Sequence, residues 1–132
     1  MEIKLERKPI EQVEADAVII PVFDKEGGGF SGEAAAAANR LTGGWIEELY
    51  ANGEFSGKPF ETAILHRPAG MKAKRLVLAG AGKREKFTDA VLRNVAGAAL
   101  RALRPKGAKS LAIALDAGEG IEERAAALVE GA

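Results

Sequence analysis

A length of 132 residues gives room for one domain of ordinary size. With 47% hydrophobic and 29% charged residues, the chain is composed like a soluble globular protein with a core, which excludes a disordered or fibrous class. Nineteen basic and nineteen acidic side chains cancel, so no global field steers a polyanion, and nucleic acid and anionic membrane are unfavoured partners.

The chain opens with Ile3 and Leu5 alternating with Lys4 and Glu6, the period-2 pattern of a strand with one wet face. This start lacks the apolar core of a signal peptide, and no run reaches the roughly 18 apolar residues of a membrane helix, so cytoplasmic is the default expectation. Residues 16–23 form a β-branched run that reads as a strand buried on both faces. Pro21 cannot donate to a ladder, which places it at the strand's end or on an irregular edge. Gly27-Gly28-Gly29 marks a loop, and Ser31 is the expected cap of a helix running through Ala34–Ala38 to about Leu41. After Gly43-Gly44, the residues Trp45, Ile46, Leu49 and Tyr50 predict a short second helix ending at Asn52-Gly53.

Residues 61–67 and 75–79 read as two more strands joined by a turn at Pro68-Ala69-Gly70, close enough to pair antiparallel. Thr88 is the expected N-cap of the best helix, 89–104, whose Val91, Leu92, Val95, Ala99, Leu100 and Leu103 share a face. Arg101 and Arg104 suit its carboxyl end, and Pro105 and Gly107 stop it. A strand from Ser110 to Leu115 follows, making strand–helix–strand a parallel crossover. From Gly120, the positions of Ile121, Ala125, Leu128 and Val129 predict an amphipathic helix. That helix is still running two residues before the last one, an ending expected at a boundary inside a longer protein. The fold class is therefore α/β, a mixed and mostly parallel sheet with helices on both faces.

Few residues invite chemistry. The Gly27–Gly29 loop and the Phe30-Ser31-Gly32 that follows lie between strand and helix, where free N–H groups can hold an anion, so Gly28, Gly29 and Ser31 are the anion-site candidates. The spacing is not that of a dinucleotide fingerprint, and a plain connection is the favoured reading. Gly80-Ala81-Gly82-Lys83-Arg84 fails the spacing of a phosphate loop and reads as a strand-to-helix turn. Lys83, Arg84 and Lys86 with Lys72, Lys74 and Arg75 would make at most a local basic patch, with solvated surface favoured. His66 is the only histidine and reads as structural, and with no cysteine a zinc site lacks its ligands. Glu47-Glu48 and Glu122-Glu123 read as solvated helix faces. Asp16 and Asp24 bracket the buried strand, Asp16 most simply ending a loop. No catalytic or metal-binding residue emerges.

The order of segments nevertheless resembles one family. Ala15–Phe23, then Ser31-Gly32-Glu33-Ala34, resemble the opening strand, loop and helix of the leucyl aminopeptidase amino-terminal domain. Gly53-Glu54-Phe55-Ser56-Gly57-Lys58 followed by Glu61-Thr62 is similar to its Gly-Asp-Phe-x-Gly-Lys segment, and Arg75–Lys83 to its Arg-Val-Leu-Leu-Val-Gly-Leu-Gly-Lys stretch. The long helix and the Gly-Ala-Lys-Ser turn after it also fit.

The resemblance implies that residues 1–132 form a non-catalytic amino-terminal domain with a macro-domain-like, three-layer α/β/α fold. It implies a cytoplasmic, homohexameric parent that removes amino-terminal residues, often leucine, from peptides. Two divalent metals, zinc or manganese, would sit in a separate carboxy-terminal domain, the partner of this one; no cofactor is expected in this chain. The family's metal-site signature, Asn-Thr-Asp-Ala-Glu-Gly-Arg-Leu, is absent, so no catalytic residue carries over. The alternative is a stand-alone macro-type module for ADP-ribose or a related nucleotide. Here Ile20-Pro21-Val22-Phe23 stands where such modules carry a binding asparagine.

Overall fold

A computed structural model describes residues 2–6, 9–25, 29–30 and 32–114. Its centre is a five-stranded sheet of β1 (Glu2–Glu6), β2 (Ala17–Val22), β3 (Thr62–His66), β4 (Arg75–Gly80) and β5 (Ser110–Ala114), in the order β1-β5-β2-β4-β3. All neighbours pair in parallel except β3, which is antiparallel to β4, as the short turn between them requires. The helices are α1 (Glu33–Leu41), α2 (Trp45–Asn52) and α3 (Asp89–Leu103).

Strand alternation sorts the apolar residues into two layers. Ala17 and Ile19 of β2, Val77 and Ala79 of β4, and Leu111 and Ile113 of β5 pack on one face, against Leu92, Val95, Ala99 and Leu103 of α3. Register places Ile19 beside both Val77 and Ile113, and Val77 beside Ile64, so one row of branched side chains crosses four strands beneath the helix. Val18, Ile20 and Val22 point the other way, with Leu76, Leu78, Ala112 and Ala114, and meet Ala35 and Ala38 of α1 and Ile46, Leu49 and Tyr50 of α2. Both faces of β2 are covered, which explains its continuous apolar run. The layering is α/β/α, with α1 and α2 on one side and, among the described residues, α3 on the other.

β2 is central and not an edge strand. Pro21 lies past the last β2–β5 pair at Ile19, in the stretch paired with β4 alone. Gly32, with no capping side chain, holds the N-cap position of α1; Ser31, the expected cap, lies outside the described residues. Between α1 and α2 the chain turns through Gly43 and Gly44, and the Asn39 side chain accepts the Glu47 N–H at 3.0 Å, a cap for α2 that its distance in sequence concealed. Thr88 caps α3 by accepting the Val91 N–H at 3.3 Å. α3 ends at Leu103, and Arg104–Lys106 continue as a 3₁₀ turn closed by Gly107 at φ +72°. β5 is described to Ala114; the expected Leu115 end and the helix from Gly120 lie outside the described residues.

β3 is an edge strand turned off at both ends. Phe60 precedes it at φ +68° and Arg67 follows it at φ +53°, both left-handed conformations that side chains rarely adopt.

Candidate functional site

β2 and β4 are neighbours, yet their chains leave on opposite faces: α1 and α2 follow β2, and α3 follows β4. In open α/β sheets the crevice at such a switch, outside the carboxyl ends of the strands, is where ligands bind. A cleft of about 410 Å³ lies there, lined by Asp24 beyond β2, Gly82 and Lys83 beyond β4, Asn94 and Val95 of α3, and Phe60. Phe60 is 59% exposed, the only exposed large hydrophobic among the described residues.

The chain itself closes most of this crest. Residues 55–61 cross the ends of β2 and β4, and the Gly57 carbonyl accepts the Gly82 N–H at 2.9 Å while the Glu61 carbonyl accepts the Gly80 N–H at 2.7 Å. A Cβ on Gly57 would collide with the Phe23 carbonyl, and one on Gly80 with the Lys58 carbonyl, so backbone lies on backbone at both glycines. Glu61 fixes the crossing. Its Oε1 accepts the Ser56 N–H (3.1 Å), the Ser56 hydroxyl (3.1 Å) and the Lys58 N–H (3.0 Å). Beneath it, Phe55 is buried against the Tyr50 ring, and the Tyr50 hydroxyl donates to the Phe23 carbonyl at 2.6 Å. Burial, and then the Glu61 and Asp24 carboxylates, push the Tyr50 phenol far above its ordinary value, so it stays a protonated donor.

The anion candidates fare accordingly. Gly28 and Ser31 lie outside the described residues. Gly29 is buried at φ +57°, with its N–H donated to the Asp24 carbonyl at 2.8 Å and its carbonyl accepting the Phe23 N–H at 2.9 Å. An N–H spent inside a turn cannot point at a ligand, which removes Gly29 as a donor. The Gly80–Arg84 segment is the turn expected of it: Ala81 donates to Val22 at 2.8 Å and Gly82 to Gly57, and Lys83 and Lys86 are exposed.

The six-membered basic patch does not form. Lys72, Lys74 and Arg75 sit at the start of β4, and Lys83, Arg84 and Lys86 beyond its end, roughly 20 Å away for six residues of strand. His66 is exposed at the end of β3, in register with Arg75, and belongs to no metal-ligating cluster among the described residues. Glu47 and Glu48 are exposed on α2, and Glu122-Glu123 lie outside the described residues.

Asp16 is at the opposite end of the sheet from the cleft, and its role is structural. Its Oδ2 accepts the Lys109 N–H at 2.7 Å and the Ser110 N–H at 3.2 Å, while its own N–H donates to Ser110 Oγ at 3.0 Å, tying the starts of β2 and β5. The Lys109 N–H first, then that of Ser110, with the Lys74 ammonium nearby, hold the carboxyl below its ordinary value of 3.8. A depressed folded value stabilises the protein above the unfolded one and is lost as pH falls through it. Asp16→Asn is expected to cost about 1–2 kcal/mol at neutral pH. In urea titrations that deficit should shrink as pH falls below about 4; a deficit constant with pH would refute the assignment.

Among the described residues no three His, Cys, Asp or Glu side chains are grouped to hold a metal ion. No helix among them is long and apolar enough to cross a membrane. The cleft thus offers two lysines, an aspartate and an exposed ring beside a self-bonded backbone.

Residues 19–132 match the family described as the cytosol aminopeptidase family, N-terminal domain. The chain belongs to the cytosol aminopeptidase family. A probable cytosol aminopeptidase of Solibacter usitatus is 40% identical over all 132 residues, which cover 25% of that protein. One from Koribacter versatilis is 40% identical over 113 residues, or 86% of this chain and 22% of the relative. The chain thus spans about a quarter of the length of the curated relatives it matches.

Among solved structures, a tomato leucine aminopeptidase mutant superposes with a TM-score of 0.76 at 18% identity, covering 99% of this chain and 27% of that one. The macrodomain of Mycobacterium tuberculosis DarG gives 0.71 at 16% identity, covering 98% and 88%. These distant likenesses establish the fold alone. The cytosol aminopeptidase amino-terminal domain is a macro-like α/β/α sandwich whose Gly53–Lys58 and Gly80–Lys83 motifs meet at the crest. Glu61 joins them, its carboxylate holding Ser56 and Lys58 and its carbonyl accepting the Gly80 N–H; the motif contained Glu61 without showing this role.

Proposed function

We propose that the chain is the accessory amino-terminal domain of a cytoplasmic, hexameric leucyl aminopeptidase, where it supports assembly or governs access to the active site. The observation that carries this reading is the family match over a chain only a quarter as long as its relatives. Peptide hydrolysis then belongs to the carboxy-terminal domain of the longer protein, the direct partner of this one. Two divalent metals, zinc or manganese, belong there too. What this chain supplies is surface and rigidity, consistent with a crest whose backbone donors bond to one another.

The protein extended to the full length of its relatives is expected to hydrolyse leucine p-nitroanilide, and to lose that activity to a chelator. The 132-residue chain with manganese or zinc is expected to show none. Chelator-sensitive turnover by the short chain would overturn the reading. Sedimentation of the longer protein as a monomer would remove the assembly role.

The alternative, a module for ADP-ribose or a related nucleotide, takes its motive from the macrodomain likeness and the crest cleft. Against it stand the spent N–H groups of Gly29, Ala81 and Gly82 and the lack of an asparagine in Ile20–Phe23. Calorimetry with ADP-ribose is expected to give no binding heat, and saturable heat would restore this alternative.

A further inference from the structure

We propose that the cleft at the crest binds a small zwitterion with an apolar side chain, a free amino acid or a dipeptide. Its volume of about 410 Å³ is that of a small-ligand site, and it lies at the switch point of the sheet, where such sites occur. The lining divides by chemistry. Val91 and Val95, one turn apart on α3, make an apolar wall, and the exposed Phe60 ring adds to it. Asp24 brings a carboxylate into the same cleft, and Lys83 and Lys86 bring two ammonium groups.

Phe60 is the observation that carries the proposal. Its backbone is held at φ +68°, a conformation costly to any residue with a side chain, and its ring is 59% exposed. A glycine would make the same turn without strain, so the turn alone does not call for a phenylalanine. Packing within the domain does not call for it either, because most of the ring meets water. A ring that covers a ligand accounts for both costs. The walls around it are already set: Pro59 lies against Gly82, where an added Cβ would stand 3.0 Å from the proline ring. Asp24 is fixed on both sides of its backbone, its N–H donating to the Gly82 carbonyl at 2.9 Å and its carbonyl accepting the Gly29 N–H at 2.8 Å. Binding therefore orders little that is not ordered beforehand.

Charge of both signs beside an apolar wall selects the ligand. Two exposed lysines mark no site by themselves; the carboxylate in the same cleft is what sets it apart from solvated surface. A pyrophosphate would bring its charge against Asp24, and a neutral apolar molecule would take water from charged groups without replacing it. A molecule carrying an ammonium and a carboxylate answers both signs, with its side chain on Val91, Val95 and the Phe60 ring. On the function proposed above, such zwitterions are what the parent consumes and releases, so the cleft would couple this domain to peptide turnover. That coupling rests on that reading; binding by the 132-residue chain alone does not.

The test is an NMR titration of the isotopically labelled 132-residue chain, followed at its backbone amides. Leucine or Leu-Leu is expected to give saturable shifts at Gly82, Lys83 and Val95 with a Kd of about 1 mM or tighter, the better of the two showing which charge separation fits. Isocaproate, which lacks the amine, and isopentylamine, which lacks the carboxylate, should each bind at least about tenfold more weakly than leucine. Asp24→Asn should abolish the preference over isocaproate, and Lys83→Ala with Lys86→Ala the preference over isopentylamine. Lys72→Ala with Lys109→Ala, at the other end of the sheet, should change nothing. Phe60→Gly should weaken binding at least about fivefold while leaving the urea midpoint unchanged or higher, since glycine relieves the strain. The ligand series needs no variant, so it stands even where Asp24→Asn fails to fold. No saturable shift with about 20 mM of leucine or Leu-Leu, or truncated ligands binding as tightly as leucine, would overturn the proposal. So would Phe60→Gly that lowers the urea midpoint and keeps full affinity. Saturable shifts with ADP-ribose but not with leucine would also overturn it, in favour of the nucleotide alternative.

Discussion

Gly57→Ala is expected to destabilise the domain by about 3 kcal/mol or more, the largest effect of any conservative change at the crest. Two costs add. The residue sits at φ +79°, and its new Cβ would strike the Phe23 carbonyl, which is backbone and cannot swing away. Gly53 separates the costs, because it shares φ +79° but a Cβ added there would meet nothing within 4 Å. Gly53→Ala is therefore expected to lose only about 1 kcal/mol. Urea denaturation of both variants reads the difference; equal losses would mean that the close crossing of strand ends by residues 55–61 carries no energy. Gly80→Ala, blocked by the Lys58 carbonyl at an ordinary φ, should fall between them or join Gly57→Ala.

Glu61→Ala is expected to cost about 2–3 kcal/mol. One carboxylate oxygen serves three donors on the crossing segment, and its loss orphans the part-buried Ser56 N–H and hydroxyl. Glu61→Gln keeps an acceptor oxygen without the charge and should cost about half as much. Hydrogen exchange localises the effect: the amides of Ser56 and Lys58 should lose protection first in Glu61→Ala, while those of β2 and β4 follow only the global loss. Uniform loss across the sheet would show that the crossing is not an independently held unit.

The outline of this fold was legible because burial and period agree. β2, β4 and β5 are covered on both faces and read as apolar runs, and α3 carries a cap, a face and a stop in one stretch. The antiparallel β3–β4 pair followed from the length of its turn. What stayed hidden depends on residues brought together from afar. Asn39 caps a helix that begins six positions on, and Asp16 bonds to amides at 109 and 110. Gly29 looked like a donor from its neighbours, and only the turn with Asp24 shows its N–H already spent. Likewise, folding sets Lys72 and Lys83, eleven positions apart in sequence, beyond opposite ends of β4.

The left-handed residues on either side of β3 bear on how the protein behaves in a crowded solution. An unpaired strand edge is a template on which another chain can grow a sheet, and the hazard rises with the length of flat edge offered. With Phe60 and Arg67 turning the backbone away at each end, β3 offers five residues, about 17 Å, with a histidine at its close. Among the described residues the β3 margin is thus too short to be a good seed for aggregation, which favours association of a more selective kind.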